Sequence, residues 1–455
     1  MAFFYGNLQD GPPDLASSGG HIDTTALLRA AVSINQSIKA LAHVALAPET
    51  SAQAAKGGLL QGVPLAVKDL IDVAGMPTRM GSRAICRTAQ RHAAVIGKLL
   101  EEGAIIIGKS HTTEFAMSGW GQSPLGRPLN PINGQDRYFS GGSSNGSASS
   151  VACGLVPCAI GTDTGGSIRI PSSWCGITGL KGSPGWISTD GVAPLSQSFD
   201  TVGPMARTAA DAAILYRAML PRYGRTAFEQ ALEQAAQQPL PHLRFFDDDS
   251  LGMLDESVKS AYIDSRARCE DLGFTTELCS VPCRFEDMAD TWAGISSVEG
   301  YLNNQAVAEN PDSDLDEDVR KALLQGKRLP LHEYFALLNK ARLHRQAMES
   351  LLTPGCLIVM PTTSTPAIKL DGFDPKRTLG IYTRFVNLIQ GCSIALPNGL
   401  SPQSLPTSMQ FIGAYGQDAS IVHAALMWQK HTDWHEKIRA QHQQQMQERL
   451  RRQHI

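Results

Sequence analysis

The chain has no pair of cysteines at the C-x-x-C spacing used by structural zinc sites and redox-active disulfides. Its nine cysteines are odd in number and scattered from Cys86 to Cys392, so their spacing suggests no disulfide framework. Thiols of this kind are typical of the reducing cytosol. We therefore expect reduced, mostly buried cysteines and a cytoplasmic protein.

Long apolar stretches and a large net charge are also missing. No apolar run reaches the roughly 18 residues that a membrane-spanning helix needs, and residues 1–6 lack the basic and apolar regions of a signal peptide. The formal net charge is −3 and the isoelectric point is ≈ 6.5. Nothing in this balance favours binding to nucleic acid or to an anionic membrane, so we expect neither partner.

The order of strand-like and helical segments predicts the fold class. Short β-type runs lie at residues 64–67, 104–107, 156–160, 356–361 and 409–413. Helical stretches are predicted at residues 24–46, 93–103, 147–154 and 208–220 and from Thr432 onward. Strands that alternate with helices indicate an α/β layer fold. The length of 455 residues alone is compatible with one large domain or with two or three smaller ones.

Residues 221–350 differ in composition from the segments around them. They are richer in Gln, Glu, Asp and Ala, and a helical period dominates. The acidic run at residues 312–318 is typical of a solvated helix start, where carboxylates favour the helix dipole. We expect a helical region here.

A glycine-rich turn ends in a serine that is a candidate nucleophile. Ser167 follows Thr164, Gly165 and Gly166, a few residues after an apolar run. Glycines allow backbone angles that turn several N–H groups towards one point, and such a nest stabilises an oxyanion. A serine at its end is placed to attack a carbonyl. A turn without chemistry would use the same residue types for backbone reasons.

Two further residues complete a possible proton relay. Lys68 is flanked by apolar residues, so burial would lower its pKa and make the neutral amine a competent base. A lysine that extends from the strand to the surface is the alternative. Ser143 lies in a second Gly/Ser-rich turn at residues 141–147. Together the two serines and the lysine supply a nucleophile, a relay and a base.

The same turn also matches the G-x-S-x-G nucleophile elbow, with Ser144 as its serine. An elbow requires a strand immediately before it, and residues 133–140 have the composition of a loop. We therefore do not expect an elbow hydrolase.

Residues 103–110 match the phosphate-loop pattern G-x-x-x-x-G-K-[ST]. The intervening residues form a buried β-type run, and the alternating N–H groups of a strand cannot wrap a phosphate. The motif therefore predicts a strand rather than a nucleotide site.

His111 and Glu114 resemble a metal-ligand pair, but no partner has zinc-like spacing to them. A loop or helix start is the simpler interpretation. We expect neither a metal nor a cofactor.

Taken together, residues 141–154, 161–171 and 175–181 resemble the amidase signature family. The similarity extends back through residues 62–69 and 108–115 and forward to residues 200–205. It is firm from about residue 60 to 210, the signature core, with weaker matches towards residue 435. The resemblance implies one domain over residues 1–455, folded as a single large α/β/α sandwich with a central mixed sheet. Residues 221–350 would be its more variable helical region, on the substrate side.

The resemblance also implies roles for individual residues. Ser167 would be the nucleophile, Ser143 the bridging serine in a cis peptide, and Lys68 the base. The backbone N–H groups of Thr164, Gly165, Gly166 and Ser167 would form the oxyanion hole. Because every step needs uncharged Lys68, we expect activity to rise towards alkaline pH.

Substrate residues in this family lie outside the signature. The candidates here are Met117, Ser118, Trp120, Tyr138, Tyr382 and Arg384. The aromatic rings are suited to stacking on a flat group, and Arg384 is suited to clamping a carboxylate.

The resulting prediction is hydrolysis of a small amide, ureide or carbamate through an acyl-enzyme. The alternative is the glutaminase (A-type) subunit of a tRNA-dependent amidotransferase, which needs partner subunits. A non-enzymatic scaffold is a third class, and the intact triad positions argue against it. We expect a homodimer, and a small accessory subunit is the further partner to consider.

Overall fold

The computed structural model of the protein describes residues 16–17, 21–22, 24–49, 58–132, 137–374 and 377–453. The strands in these residues are β1 (Ala16–Ser17), β2 (His21–Ile22), β3 (Leu41–Glu49), β4 (Pro64–Lys68), β5 (Pro77–Thr78), β6 (Arg87–Thr88), β7 (Ile105–Ser110), β8 (Cys158–Asp163), β9 (Thr178–Lys181), β10 (Thr201–Ala206), β11 (His242–Phe246), β12 (Thr276–Cys279), β13 (Cys356–Pro361), β14 (Cys392–Leu400) and β15 (Pro406–Gly413).

The α-helices in the same residues are α1 (Thr24–Ile38), α2 (Ala94–Glu101), α3 (Asn145–Ala152), α4 (Arg169–Trp174), α5 (Ala209–Met219), α6 (Arg222–Gln237), α7 (Asp248–Leu251), α8 (Glu256–Asp271), α9 (Phe285–Glu309), α10 (Glu317–Arg328), α11 (Leu331–Glu349), α12 (Arg384–Leu388), α13 (Asp418–Lys430) and α14 (Trp434–Gln453). None of these helices is long and apolar enough to cross a bilayer.

Eleven of the strands form one mixed sheet. Its order is β12-β11-β13-β15-β14-β9-β10-β8-β4-β7-β3. Strand β4 pairs in parallel with both β7 and β8, whereas the pairs from β13 through β15, β14, β9 and β10 to β8 are antiparallel. The sheet and its flanking helices confirm the predicted α/β fold. One continuous sheet supports the prediction of a single domain, which stays a prediction.

The parallel part of the sheet positions the candidate site. Every residue of β4, β7 and β8 is buried, as expected for apolar strands covered on both faces. Because the three strands run in one direction, their last residues, Lys68, Ser110 and Asp163, lie at the same edge of the sheet. Ligands of open α/β sheets bind at this edge. The phosphate-loop pattern lies largely within β7, which confirms the prediction of a strand.

The predicted helix over residues 24–46 was wrong in its second half. Helix α1 ends at Ile38, and Lys39 adopts the left-handed conformation (φ 51°), which stops the helix. Residues 41–49 instead form β3, which pairs antiparallel with β7. The alanines of this segment favour a helix by local preference. The backbone of β7 offers hydrogen-bond partners along its free edge, and pairing with β7 outweighs that preference.

The region 221–350 is mostly helical, as predicted, and contains α6 to α11. It also contributes β11 and β12, which form one edge of the large sheet and were not predicted. The acidic run marks a helix start as expected, because the carboxylate of Asp316 accepts the N–H groups of Asp318 and Val319 at the start of α10.

Candidate active site

Lys68 is the last residue of β4 and is fully buried. Its Nζ lies 2.7 Å from Ser143 Oγ, 2.7 Å from Thr162 Oγ1 and 3.4 Å from the Thr162 carbonyl oxygen. Thr162 belongs to β8, the parallel neighbour of β4, so the sheet itself brings these groups together. The surface-exposed alternative for this lysine is excluded.

Burial lowers the pKa of Lys68 to about 7, against the opposing influence of the carboxylates of Asp163 and Asp200. Desolvation disfavours the ammonium form because the charge loses its water. The neutral amine, the form that can accept a proton from Ser143, is therefore favoured near neutral pH far more than in a solvated lysine.

Ser143 follows a cis peptide bond between Gly142 and Ser143. Its carbonyl oxygen accepts the Thr113 N–H at 3.2 Å, and the next residue, Ser144, donates its N–H to the carbonyl oxygen of Ser167 at 3.1 Å. The backbone of this turn is thus joined directly to the turn that carries Ser167.

The carbonyl groups of the Ser167 turn are held by side chains from distant elements. The indole N–H of Trp292 donates to the Thr164 carbonyl oxygen at 2.8 Å, and the Thr383 hydroxyl donates to the Gly165 carbonyl oxygen at 2.7 Å. In a trans peptide the N–H points opposite to the carbonyl oxygen. These contacts therefore set the directions of the Gly165 and Gly166 N–H groups.

One of the expected oxyanion donors already has a partner. The Gly166 N–H donates to Asp163 Oδ1 at 2.7 Å. No hydrogen bond is formed by the N–H groups of Thr164, Gly165 and Ser167 within the part of the chain that the structure describes. A developing oxyanion would therefore rely on these three donors rather than on Gly166.

The carboxylate of Asp163 holds this turn by accepting hydrogen bonds from its backbone. It accepts hydrogen bonds from the Ile168 N–H at 3.1 Å, from Asn387 Nδ2 at 3.0 Å and from two nitrogens of Arg169, each at 3.0 Å. Burial alone would raise its pKa. The charge and hydrogen bonds of Arg169, together with Lys181 and Asn387, hold the pKa of Asp163 well below its usual range. Asp163 is therefore a fixed negative charge near Lys68.

Asp200 supports the opposite side of the turn. It accepts the hydroxyl of Thr164 at 2.5 Å and the N–H groups of Leu195 and Ser196 at 2.8 and 2.9 Å. Burial raises the pKa of Asp200 to about 6, and these hydrogen bonds and Lys68 oppose that rise.

A cavity of about 210 Å³ opens beside Ser167. Its lining includes Met117, Ser118, Trp120 and Arg384, four of the six residues predicted to contact substrate, and also Trp292. The volume suits a small molecule.

The two predicted tyrosines do not line this cavity. Tyr138 is buried in an aromatic and aliphatic cluster with Trp120 and Phe139. Tyr382 is buried against Phe285, and its hydroxyl donates to the Leu251 carbonyl oxygen. Both rings therefore contribute to packing, because both are buried in the protein interior.

Sequence reasoning missed Thr162, Asp163 and Asp200. Asp163 had a local signal, since an acidic side chain directly before a glycine turn can accept the turn's N–H groups. Asp200 had no such signal, because its partners Thr164 and Leu195 are known only from the fold. The elbow alternative is not supported, since residues 139–143 before Ser144 form no strand.

Known proteins resemble this chain over most of its length. The sequence model of the family described as Amidase matches residues 24–422. The A-type subunit of the glutamyl-tRNA(Gln) amidotransferase of Nitrosococcus oceani is 31% identical over 439 residues, which cover 87% of this chain and 89% of that protein.

Solved structures resemble it as well. The A-type subunit of the glutamyl-tRNA(Gln) amidotransferase of Thermotoga maritima has a TM-score of 0.75 at 26% identity, with 89% of this chain and 91% of that chain covered. An allophanate hydrolase of Kluyveromyces lactis has a TM-score of 0.78 at 25% identity, with 94% and 73% covered.

Proposed function

This chain belongs to the amidase family, and we propose that it hydrolyses a small amide, ureide or carbamate through a serine-bound acyl intermediate. The observation that carries the proposal is the buried 2.7 Å contact between Lys68 Nζ and Ser143 Oγ, next to a cavity lined by Ser167. A neutral lysine, a relaying hydroxyl and a nucleophilic hydroxyl are the groups that acyl transfer needs.

In the first half-reaction, Lys68 Nζ takes the proton of Ser143, and Ser143 Oγ takes the proton of Ser167. Ser167 Oγ then forms a bond to the substrate carbonyl carbon, and the carbonyl oxygen becomes an oxyanion. The N–H groups of Thr164, Gly165 and Ser167 stabilise that charge. The carbon–nitrogen bond breaks as the leaving nitrogen takes a proton from Ser143, which is reprotonated by Lys68.

In the second half-reaction, water attacks the ester carbon and gives a proton to Ser143, which passes its own proton to Lys68. The carbon–oxygen bond to Ser167 breaks as Ser167 takes a proton from Ser143, Lys68 returns its proton to Ser143, and the acid product leaves. The cycle ends with Lys68 neutral, as it began.

The experiment is to measure ammonia and amine release by the purified chain. Aliphatic and aryl amides, ureides, carbamates and glutamine form the substrate panel. We expect Ser167→Ala and Lys68→Met each to lower turnover by about 10³-fold or more, because the residues of such a relay act as a unit. Ser144→Ala is the matched control, since within the described residues its hydroxyl forms hydrogen bonds with the Thr162 backbone alone. Turnover that survives in Ser167→Ala would contradict the proposal.

A second candidate is the glutaminase subunit of a tRNA-dependent amidotransferase. It is favoured by the 31% identity to the Nitrosococcus oceani protein over 87% of this chain. In that case activity would be confined to glutamine and would need partner subunits. Glutamine in the substrate panel separates the two functions.

The cellular setting and assembly belong to the same proposal. The structure forms no disulfide among the nine cysteines, all of which lie in described residues. This fits a reducing compartment, so we place the enzyme in the cytoplasm. We propose a homodimer, which light scattering would test, and a complex with a small accessory protein is the alternative form of the enzyme.

A further inference from the structure

Arg384 is the first residue of α12 and lines the same cavity as Ser167. Its guanidinium carbon lies 4.4 Å from the centre of the Trp292 ring, and the same ring is stacked with Phe199 at a centroid distance of 6.1 Å. An aromatic ring holds a guanidinium in a defined plane while its N–H groups stay available.

This guanidinium forms no ion pair and no hydrogen bond with the residues that the structure describes. Burial lowers the pKa of Arg384 to about 10, and the exposed Asp290 opposes that effect, so the side chain is still charged at neutral pH. Arg169 and Lys109, two fully buried cations, each contact a carboxylate, that of Asp163 and that of Asp69, whereas the part-buried Arg384 forms no such pair among the described residues. A desolvated charge is costly unless an opposite charge compensates it.

The charged residues that line the cavity are all cationic, and the exposed carboxylate of Asp290 acts on Arg384 from outside this lining. The lining includes Arg384 and, at the exposed rim, Arg377, but no aspartate or glutamate among the described residues. The nearby carboxylates of Asp163 and Asp200 do not line the cavity and already accept hydrogen bonds, from Arg169 and from the Thr164 hydroxyl. An anionic group in the cavity would therefore be attracted, and an ammonium group would meet two cations without a carboxylate partner.

The indole of Trp292 connects Arg384 to the proposed catalytic turn. The Trp292 ring carries Arg384 on its face and donates its N–H to the Thr164 carbonyl oxygen at 2.8 Å. Since Thr164 and Gly165 belong to the turn that carries Ser167, an anion on Arg384 would lie at a fixed position relative to a carbonyl on Ser167. The cavity volume of about 210 Å³ keeps the two groups of one substrate close together.

We propose that Arg384 binds a carboxylate of the substrate, so that the substrate is a small amide or ureide that carries a carboxylate a few bonds from the scissile carbonyl. This inference rests on the proposed hydrolase function and narrows its substrate class. The guanidinium fork matches a carboxylate in a bidentate geometry. The carboxylate takes no part in bond breaking and leaves unchanged. Free glutamine is a poor fit because its ammonium group lacks an acidic partner.

The kinetic test compares substrates that differ only in charge. Malonamate, succinamate and N-carbamoylglycine are paired with their neutral amides malonamide, succinamide and N-carbamoylglycinamide, and ammonia release is measured. We expect kcat/KM to be at least about tenfold higher for the carboxylates. Arg384→Met should lower kcat/KM for the carboxylates by about 10- to 100-fold and change the neutral amides by less than about threefold. Arg384→Lys should keep part of the preference.

Arg91→Met is the matched control, because Arg91 lies on the surface in an exposed pair with Asp190. It should leave both substrate sets unchanged. Equal loss of carboxylate and neutral amides in Arg384→Met would overturn the inference, since Arg384 would then act only by supporting Trp292. A preference for neutral amides in the wild-type chain would overturn it too.

A binding measurement keeps this result separate from the hydrolase proposal. Malonamate and succinamate are titrated into the Ser167→Ala variant by calorimetry, with and without Arg384→Met. Saturable binding that is lost in Arg384→Met supports the carboxylate site. This holds even if the wild-type chain shows no turnover, because a lack of turnover counts against the hydrolase proposal and not against the carboxylate site. No binding, or binding that persists in Arg384→Met, overturns the carboxylate site.

Discussion

Arg169 donates two hydrogen bonds to the carboxylate of Asp163, from Nε to Oδ2 and from Nη2 to Oδ1, each 3.0 Å long. Neither side chain exposes any surface. The same carboxylate holds the N–H groups of Gly166 and Ile168 on either side of Ser167. The ion pair therefore fixes the turn that carries the candidate nucleophile.

Replacement of Arg169 by methionine should destabilise the protein strongly. It leaves Asp163 buried without its cation, and breaking a buried pair in this way costs about 3 kcal/mol or more of unfolding free energy. Urea denaturation followed by tryptophan fluorescence measures the change. Arg91→Met is the control, since the exposed pair with Asp190 contributes little. A loss no greater than that of the control would show that the pair does not hold the turn.

Gly166 should tolerate no side chain. Its φ is +123°, and an added Cβ would lie 2.1 Å from Thr383 Oγ1, the atom that holds the Gly165 carbonyl oxygen. Gly166→Ala should therefore displace the turn that carries Ser167 and lower kcat by about 10²-fold, as small misplacements in active sites do. Steady-state kinetics on any amide that the enzyme hydrolyses measures this.

Gly97→Ala is the matched control for that substitution. Gly97 lies within α2, and an added Cβ would have no neighbour within 4 Å. Alanine should raise the unfolding free energy by about 0.5–1 kcal/mol there, because it loses less backbone entropy than glycine. Full activity in Gly166→Ala would contradict the role assigned to the turn.

The sequence predicted the groups that lie within short motifs. Ser143 and Ser167 lie in two Gly/Ser-rich turns. Lys68 was predicted to be a buried base because apolar residues flank it in the sequence. These predictions depended on neighbours in sequence, and the structure brings Lys68 and Ser143 within hydrogen-bond distance. The strand that contains Lys109 was predictable for the same reason.

The contacts that orient the turn could not be predicted in this way. Arg169 also binds Asn387 at 2.6 Å and Gln410 at 3.2 Å, residues that are 218 and 241 positions away in the chain. No local pattern reveals a partner at that separation. Tyr138 and Tyr382 were instead predicted to contact substrate and do not line the cavity. Aromatic residues near a site are suited equally to packing and to ligand stacking, and only their burial in the structure distinguishes the two roles.

The pH dependence of the reaction should follow the protonation of Lys68. Burial lowers the pKa of this amine to about 7, and only the neutral form can start the relay. We expect kcat/KM for an uncharged substrate to fall about tenfold per pH unit below that value and to level off above it. A rate that is flat from about pH 5.5 to about pH 9, or that peaks in acid, would contradict a lysine base.

Asp200→Asn should shift this profile to lower pH. The negative charge of Asp200 favours the ammonium form of Lys68, so its removal lowers the pKa of Lys68 further. Asparagine has the same shape, and its amide can still accept the Leu195 and Ser196 N–H groups and contact the Thr164 hydroxyl. The plateau rate should therefore stay near that of the wild-type chain while the acidic limb moves. Asp190→Asn, a surface change in the pair with Arg91, should leave the profile in place. A profile that moves to higher pH in Asp200→Asn, or does not move, would show that Asp200 does not set the basicity of Lys68.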